Sequence, residues 1–365
     1  MITTHHNHQH HDDIGSPGRR RLLKSAGGVA AALTMPGLLG LPLRSTAQSS
    51  ARPDDVVMRA IPRTGERVPV IGLGSFLTFD VLPGQKRDHV REVLRRYWEG
   101  GGRVIDTSPL YGTGEISIGD FATAMGINER IFIANKVWAT GEYLWDESHA
   151  RHSLQRSLDR LWRERIDLMQ CHSLVNVETV LPMLAAWKKE GRIRYLGISH
   201  FESPYHDVVA SWIDRGNPDF VQINYSIANR SAEAKILPAA LEKGVGIFVN
   251  MPFEKARLFK VVEGQPLPDF AKELGIDNWA QYFLKWVAAH PAVTCVLPAT
   301  SNPDHVAQNI AALRGPLPDR SMRDRMLRHV QSIPGVERAL QMPWYPDKRY
   351  AGIINRSQAE LRART

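Results

Sequence analysis

The feature that most constrains the fold is a regular alternation of short β-branched runs with longer helical patterns, which begins near Met58. In the first helical pattern, Val90, Val93, Leu94 and Tyr97 recur at helical spacing. Such alternation builds βαβ units and therefore a parallel sheet. The runs that predict the sheet strands are residues 71–74, 104–106, 131–136, 166–172, 195–199, 220–224, 246–250 and 294–298.

Eight such strands favour an α/β fold of the closed (β/α)8 or TIM-barrel type. The chain has 365 residues, which suits a barrel of ~250 residues with a tail. Gly72 and Gly74 lack the third glycine of a G-x-G-x-x-G fingerprint, which argues against a dinucleotide-binding doubly wound sheet. A hairpin (56–61 with 66–70) is predicted before the barrel. Helices are predicted at 89–99, 149–162, 179–189, 205–215, 232–243, 280–289 and 318–332, and about the last ten residues are expected to be loose.

The first 47 residues predict an export signal with a disordered leader, whereas residues 56–365 predict one barrel domain. The run RRRLLK at 19–24 is similar to a twin-arginine signal and precedes an apolar, small-residue run at 26–43. That run is shorter than the ~20 apolar residues of a membrane span. Periplasmic export with cleavage after Ala47 or Ala51 is therefore predicted, so that the export machinery is a partner. The alternatives are a basic tail or membrane anchor, and a cytoplasmic location.

Composition narrows the choice of partners. The formal net charge is +8, but no dense basic run with interleaved aromatic residues is present, so a nucleic-acid partner is not predicted. Five histidines lie between positions 5 and 11; such clusters can bind metal, but here they read as part of the leader, and no metal site is predicted. Two cysteines, Cys171 and Cys295, give no sign of a disulfide framework.

Polar residues stand at the ends of consecutive predicted strands, where a barrel of this type carries its active site. Each has an ordinary explanation alone, since an Asp before Thr-Ser-Pro is often a turn former and a strand-end Lys is often solvated. Together they predict a candidate site. Its members are Asp106, Lys136, His172, Ser199, His200 and Gln222.

The same residues lie in motifs that resemble those of the aldo-keto reductase family, from about residue 56 to 313. The ordered set of motifs is much more specific than any single one. The motifs are VIDTSPLYGTGE at 104–115, IANK at 133–136, IDLMQCH at 166–172, GRIRYLGIS at 191–199 and VQINY at 221–225.

The resemblance implies NAD(P)H-dependent reduction of an aldehyde or ketone, or the reverse oxidation, with Tyr111 as general acid. A tyrosine has an ordinary pKa of ~10, and a nearby Lys136 cation is expected to lower the pKa of Tyr111. Asp106 would keep Lys136 charged and oriented. His172 would orient the carbonyl and stabilise charge that develops on its oxygen. The cofactor would supply the hydride.

For the nicotinamide, the resemblance implies that Ser199, the next residue and Gln222 hold the carboxamide. His200 stands where the family usually has Asn. Asn250 and Met251 begin the loop in which the family commonly offers a stacking aromatic residue; Met251 or Phe253 is the possible replacement.

For the remainder of the cofactor, Thr300, Ser301 and Asn309 follow the family pattern. Ala299 and His305 occupy positions where many members carry Lys and Arg for the 2′-phosphate. NADP(H) is therefore favoured over NAD(H) only by a small margin. Lys255 and Arg257 are alternative sources of positive charge.

The substrate is a small carbonyl compound whose identity the sequence does not give. Phe76, Phe79, Trp138, Trp344 and Tyr345 predict an aromatic pocket that favours apolar aldehydes or ketones, although they are equally consistent with packing.

Two other functions remain open. A barrel enzyme of another class would use Lys136 in a Schiff base, against which the placing of Tyr111, His172 and Gln222 argues. A non-catalytic nicotinamide-binding barrel would not need all four catalytic residues.

Overall fold

The computed structural model describes residues 56–82, 84–138 and 148–362. The predicted export signal and leader (1–47) and both cleavage positions lie outside these residues. The strands are β1 Met58–Ala60, β2 Arg67–Pro69, β3 Leu73–Gly74, β4 Val104–Asp106, β5 Phe132–Val137, β6 Ile166–His172, β7 Ile193–His200, β8 Phe220–Asn224, β9 Gly246–Asn250 and β10 Val293–Val296. The helices are α1 Asp88–Glu99, α2 Gly114–Ala124, α3 Ser148–Leu161, α4 Val177–Lys189, α5 His206–Asp214, α6 Ile236–Lys243, α7 Arg257–Val261, α8 Trp279–Ala288, α9 Pro303–Ala311, α10 Arg320–Gln331 and α11 Ile353–Arg362.

Strands β3 to β10 form one parallel sheet in chain order. The sheet closes on itself, because the amide of Gly72 donates to the carbonyl oxygen of Val296 at 2.7 Å and that of Gly74 donates to Pro298 at 2.9 Å. At Gly72 a Cβ atom would lie 2.7 Å from the side chain of Leu297, so a larger residue at the seam would displace that leucine. The predicted (β/α)8 barrel is confirmed.

Every second side chain along the strands points into the barrel, and several of these are large aromatic rings. Phe132, Tyr195, Phe220 and Phe248 belong to the interior cluster, and the Phe220 and Phe248 ring centroids are 4.9 Å apart. The intervening apolar side chains belong to the larger cluster that packs against the helices. Because successive strand side chains point to opposite faces, every second residue toward the carboxyl ends of these strands also faces inward.

The predicted hairpin closes the amino-terminal end of the barrel. Strand β1 pairs antiparallel with β2, and Ile61 and Val68 belong to the same interior cluster as the barrel rings. The hydroxyl of Tyr195 donates to Glu66 at 2.6 Å, which ties the hairpin to β7. With this end closed, the functional site is left to the carboxyl ends of the strands.

Several boundaries differ from the prediction. Strand β3 begins at Leu73 because Ile71 makes only an isolated bridge, and helix α2 was not predicted. The C-terminal end also differs, since α11 extends to Arg362 and the amide of Ile354 donates to Asp80 at 2.8 Å. About ten final residues were expected to be loose, and the structure places those as far as Arg362 in this helix. Across the described ranges, no helix has both the length and the apolar character needed to cross a membrane.

Candidate active site at the carboxyl ends of the strands

The site is built from inward-facing side chains at the carboxyl ends of the barrel strands. The strand register places His172 beside Ser199 and Ser199 beside Gln222. Asp106 ends β4, and Lys136 lies one residue before the end of β5. Nearer the amino ends of the same strands, the inward-facing side chains are apolar. Along each strand, the inward-facing side chains therefore change from apolar core residues to polar residues of the site.

Lys136 and Asp106 form a buried ion pair. The lysine Nζ donates to Oδ1 of Asp106 at 2.6 Å and to the carbonyl oxygen of Thr107 at 2.8 Å. Only 2% and 7% of the two side chains are exposed. Burial raises the pKa of Asp106 and lowers the pKa of Lys136, while their mutual attraction opposes both shifts. The pair is thus fixed in one geometry.

Tyr111 lies beside this pair. The Nζ atom of Lys136 is 5.0 Å from the centroid of the tyrosine ring. Burial raises the pKa of Tyr111 well above its ordinary value, and the Asp106 carboxylate adds to the rise. The expected lowering of the Tyr111 pKa by Lys136 is therefore not found in the free protein, because burial and the Asp106 charge both act in the opposite direction. Tyr111 holds its proton at neutral pH.

The turn that carries Tyr111 is fixed by Asp80. The amide of Thr113 donates to the Asp80 carboxylate at 3.1 Å. Gly112 has a φ of +60°, and a Cβ atom there would lie 2.1 Å from Oδ1 of Asp80. This turn therefore needs glycine both for its left-handed backbone and for the close approach of the carboxylate.

His172 is neutral at physiological pH, because burial and the nearby Lys136 charge lower the pKa of His172 to about 3. Its Nδ1 atom lies 3.3 Å from the hydroxyl oxygen of Ser108. The ring also lies edge-on to Tyr111, with centroids 6.1 Å apart. A neutral imidazole of this kind can donate one hydrogen bond and accept another.

The residues predicted to hold the carboxamide do not all share one face. Ser199 faces inward, and its hydroxyl donates to the carbonyl oxygen of Cys171 at a long 3.4 Å. His200 follows directly and therefore faces the opposite way, where its ring stacks on Tyr205 at a centroid distance of 3.9 Å. Its Nδ1 accepts from the Glu202 amide at 3.1 Å, which leaves Nε2 of the neutral ring as the donor.

Gln222 is tied into the protein rather than free. Its carbonyl oxygen accepts from Nε2 of Gln170 at 3.0 Å, and its side chain also forms a hydrogen bond with Asp106. On the next strand, Oδ1 of Asn250 is buried and has no hydrogen-bond partner among the described residues. Met251 follows with a φ of +52°.

The other predicted cofactor residues lie after β10. Thr300 and Ser301 directly precede the Asn302 cap of α9, and the amide of Asn302 donates to the hydroxyl of Thr300 at 3.0 Å. Asn309 lies on α9 and is buried. His305 lies in the first turn of this helix, where burial and the Lys348 charge lower its pKa.

Of the aromatic residues predicted to line a pocket, Phe76 and Trp138 lie at the site. Phe76 lies edge-on to Tyr111 at 5.0 Å between centroids, and Trp138 lies 6.0 Å from His172. The prediction for Phe79 is wrong, because this side chain is wholly buried in the core. Sequence reasoning identified neither Ser108, which lies within the Tyr111 motif, nor Asp80, which lies far from it in the sequence and meets it only in the fold.

A parallel eight-stranded barrel with a Tyr, Lys, Asp and His set at the carboxyl ends of its strands defines an oxidoreductase type of site. Residues 70–325 match the model of the aldo/keto reductase family, and the chain belongs to that family.

Known proteins resemble the chain over most of its length. L-galactose dehydrogenase of Arabidopsis thaliana is 25% identical in an alignment of 306 positions that covers 76% of this chain and 94% of that protein. The holo form of an aldo-keto reductase from Bacillus halodurans has a TM-score of 0.62 at 22% identity and covers 75% of this chain and 96% of its own. An aldo/keto reductase from Klebsiella pneumoniae, in complex with NADP and acetate, has a TM-score of 0.63 at 23% identity, with 80% and 97% covered.

Proposed function

We propose that this protein reduces an aldehyde or ketone with a nicotinamide cofactor, and that Tyr111 gives the proton. The observation that carries the proposal is the buried Lys136–Asp106 pair beside the ring of Tyr111, with a neutral His172 on the same inward face. Carbonyl reduction needs a proton donor and charge stabilisation at one oxygen atom, and this arrangement supplies both.

Each residue has a distinct part in the proposed reaction. The nicotinamide cofactor, when bound, would supply the hydride. Tyr111 carries its proton at neutral pH, as a tyrosine with the ordinary pKa of ~10 already does, and burial raises its pKa further. It releases that proton to the substrate oxygen as negative charge builds there. Lys136, 5.0 Å from the ring centroid, stabilises the phenolate that remains. Asp106 keeps the lysine in place, and His172 donates a hydrogen bond to the same oxygen.

The residues present fit a nicotinamide group. A carboxamide offers two donors and one acceptor, and the unpartnered Oδ1 of Asn250 together with the weakly bonded hydroxyl of Ser199 can satisfy it. Gln222, the register partner of Ser199, would lie beside the carboxamide, and Met251 would pack on the ring. His200 was also predicted to hold the carboxamide, but its ring stacks on Tyr205 and faces away from Ser199.

The start of α9 suits a phosphate group, because a helix amino terminus attracts anions. Thr300 and Ser301 lie there, and Asn309 follows on the same helix. NADP(H) is favoured over NAD(H), in line with the Klebsiella pneumoniae protein that is described with NADP. The margin should be small because Ala299 and His305 provide no fixed positive charge.

The test is the variant Tyr111→Phe, assayed for turnover and for cofactor affinity. Turnover should fall by about 10²–10⁴-fold, the usual contribution of a positioned acid. The NADPH dissociation constant, measured by fluorescence titration beside that for NADH, should change by less than about twofold, since the hydroxyl faces substrate. Tyr282→Phe is the matched control, because it removes a buried hydroxyl that donates to the carbonyl oxygen of Met326 between two outer helices, α8 and α10. A loss of turnover below about tenfold contradicts the role of Tyr111.

The two alternative functions are less well supported. A Schiff base needs a neutral amine with a free lone pair, whereas the Lys136 nitrogen is engaged by Asp106 and the Thr107 carbonyl oxygen. Borohydride trapping with a carbonyl compound would reveal such an intermediate. A non-catalytic barrel would bind NADPH in the titration and reduce no aldehyde.

We also propose that the chain is exported by a twin-arginine route. The support is the RRRLLK run at 19–24 followed by a short apolar run. This route carries folded proteins, so the barrel would fold and take up its cofactor in the cytoplasm.

A further inference from the structure

A lysine near the opening of the site is enclosed by aromatic rings. The Nζ atom of Lys255 lies 3.1 Å from the centroid of the Trp344 ring and 5.1 Å from that of Phe201. The rings of Phe76 and Tyr345 are each 5.9 Å away. These rings come from the loop after β3, the loop after β7 and the C-terminal segment. Such rings attract a cation through their faces.

The rings do not use the hydrogen-bonding capacity of the ammonium group. A lysine carries three N–H donors, and within the described residues Lys255 forms no ion pair or side-chain hydrogen bond. Burial lowers the pKa of Lys255 to about 8, so the group is still largely charged at neutral pH. The N–H groups of this ammonium are therefore available to donate to an anionic acceptor.

The loop that carries Lys255 is held in place. Glu254, Lys255 and Ala256 all have positive φ angles between 49° and 70°, which is costly for residues other than glycine. The buried Glu254 carboxylate accepts from the Ser226 hydroxyl at 2.6 Å, and Arg257 donates to the Leu340 carbonyl oxygen at 2.7 Å. Backbone strain persists where surrounding contacts fix it, and here the result is a fixed position for the ammonium group.

The ammonium group of Lys255 lies on the same side of the site as Tyr111, the proposed proton donor. Phe76, which contacts Lys255, also lies 5.0 Å from Tyr111 between ring centroids. Tyr345 approaches Tyr111 closely enough to raise the pKa of that phenol. Thr300 and Ser301, by contrast, lie after β10. Lys255 therefore lies where an anionic group on a substrate bound beside Tyr111 can reach it.

We propose that Lys255 binds a carboxylate on the substrate, so that the preferred substrates are aldehydes that carry a carboxylate a few carbons from the carbonyl. The inference rests on the proposed reductase function. The aromatic rings would contact the carbon chain, the ammonium would hold the acid end, and Tyr111 would meet the carbonyl oxygen.

The test compares 4-oxobutanoate with butanal, which has the same chain length and no charge. The wild-type protein should prefer 4-oxobutanoate. Lys255→Met keeps an apolar stem between the rings and should raise KM for 4-oxobutanoate at least about tenfold, with the constants for butanal changed less than twofold. Lys255→Arg should retain the preference, and Lys272→Met, at an exposed lysine paired only with Asp269, is the control. Melting temperatures check that each variant is folded.

The pH dependence gives a second readout. The lysine charge is present below pH 8 and is lost above it, so KM for 4-oxobutanoate should rise through that range in the wild type and stay level in Lys255→Met. The charged groups that face Lys255 are Glu202 and Glu254, which favour its charge, and Arg257, which opposes it. KM for butanal should show no such rise.

Binding separates the two proposals. Trp344 adjoins Lys255, so tryptophan fluorescence can follow 4-oxobutanoate binding without turnover. Binding that Lys255→Met abolishes, in a protein that reduces neither aldehyde, supports the anion site and refutes the reductase. Reduction of both aldehydes with equal efficiency, unchanged in Lys255→Met, overturns the anion site alone. Weaker NADPH binding in Lys255→Met, with the 4-oxobutanoate KM unchanged, also overturns it, because the charge would then serve the cofactor.

Discussion

Ser108 determines which nitrogen of His172 carries the proton. Its hydroxyl oxygen accepts from the Leu110 amide at 3.2 Å and lies 3.3 Å from Nδ1 of His172. Ser108 is buried, and a buried hydroxyl hydrogen without an acceptor costs ~1–3 kcal/mol. The arrangement that leaves no such hydrogen has Ser108 donating to Nδ1. The single proton of the neutral ring then lies on Nε2.

The variant Ser108→Ala should therefore lower turnover about tenfold, because His172 would no longer be held in one tautomer. The ¹⁵N NMR shifts of His172 should move from the Nε2–H form toward a mixture. Ser157→Ala is the matched control, since the buried Ser157 hydroxyl has no partner among the described residues. Unchanged NMR shifts together with unchanged turnover would contradict this role.

The sequence predicted the positions of several site residues but not their electrostatic properties. Asp106, Lys136 and His172 were predicted because they stand at the carboxyl ends of predicted strands, where a barrel of this type carries its active site. The alternation of side chains along a strand, applied to consecutive positions, shows that Ser199 and His200 face opposite ways. The rise in the pKa of Tyr111 was not foreseen, because it depends on burial of the phenol and on the nearby Asp106 and Tyr345. Neither follows from sequence spacing.

At the level of elements, Asp80 joins three segments that are distant in sequence. It lies in the loop after β3, and its carboxylate accepts from Thr113, beside the Tyr111 turn, and from Ile354 at the start of α11. Hydrogen bonds to a charged acceptor are stronger than neutral ones. The C-terminal segment, which carries Trp344 and Tyr345, is thus anchored next to the site.

The variant Asp80→Ala should loosen α11 and lower the melting temperature, with a cost of about 1–3 kcal/mol for the lost charged hydrogen bonds. Trypsin should cut after Arg356 faster than in the wild type, since helices that unfold locally become accessible to proteases. Asp88→Ala removes an exposed carboxylate paired with Arg91 and serves as the control. Equal cleavage rates in the two variants would show that Asp80 does not anchor the helix.

Helix α2 was not predicted because it has no strong apolar stripe. Its buried positions include Gly114, Ser117 and Gly119, and a Cβ atom at Gly119 would lie 2.1 Å from the Arg160 carbonyl oxygen of α3. The helix packs through small residues that permit close backbone contact. Periodicity of large apolar residues, which predicted the neighbouring helices, carries no signal for this kind of packing.

For the whole molecule, the number and order of strands were sufficient to predict the barrel. Eight β-branched runs with helical patterns between them leave few arrangements that satisfy parallel pairing and right-handed connections. Closure itself depends on the hydrogen bonds that Gly72 and Gly74 donate across the junction between β3 and β10. The spacing of the strands in the sequence did not predict these contacts.

The last prediction concerns export of the whole chain. In cells that express it, the native protein should appear in the periplasm without its first ~47–51 residues, the length of the predicted signal. An Arg19→Lys, Arg20→Lys double variant should stay in the cytoplasm at full length, because the twin-arginine machinery reads the arginine pair. Arg44→Lys, later in the same segment, is the matched control and should be exported.

Since cofactor binding stabilises the folded state by mass action, the exported protein should also carry extractable nicotinamide nucleotide. A native protein that remains cytoplasmic at full length would refute the export proposal. That result would leave the reductase proposal intact, because Asp106, Tyr111, Lys136 and His172 all lie in the barrel.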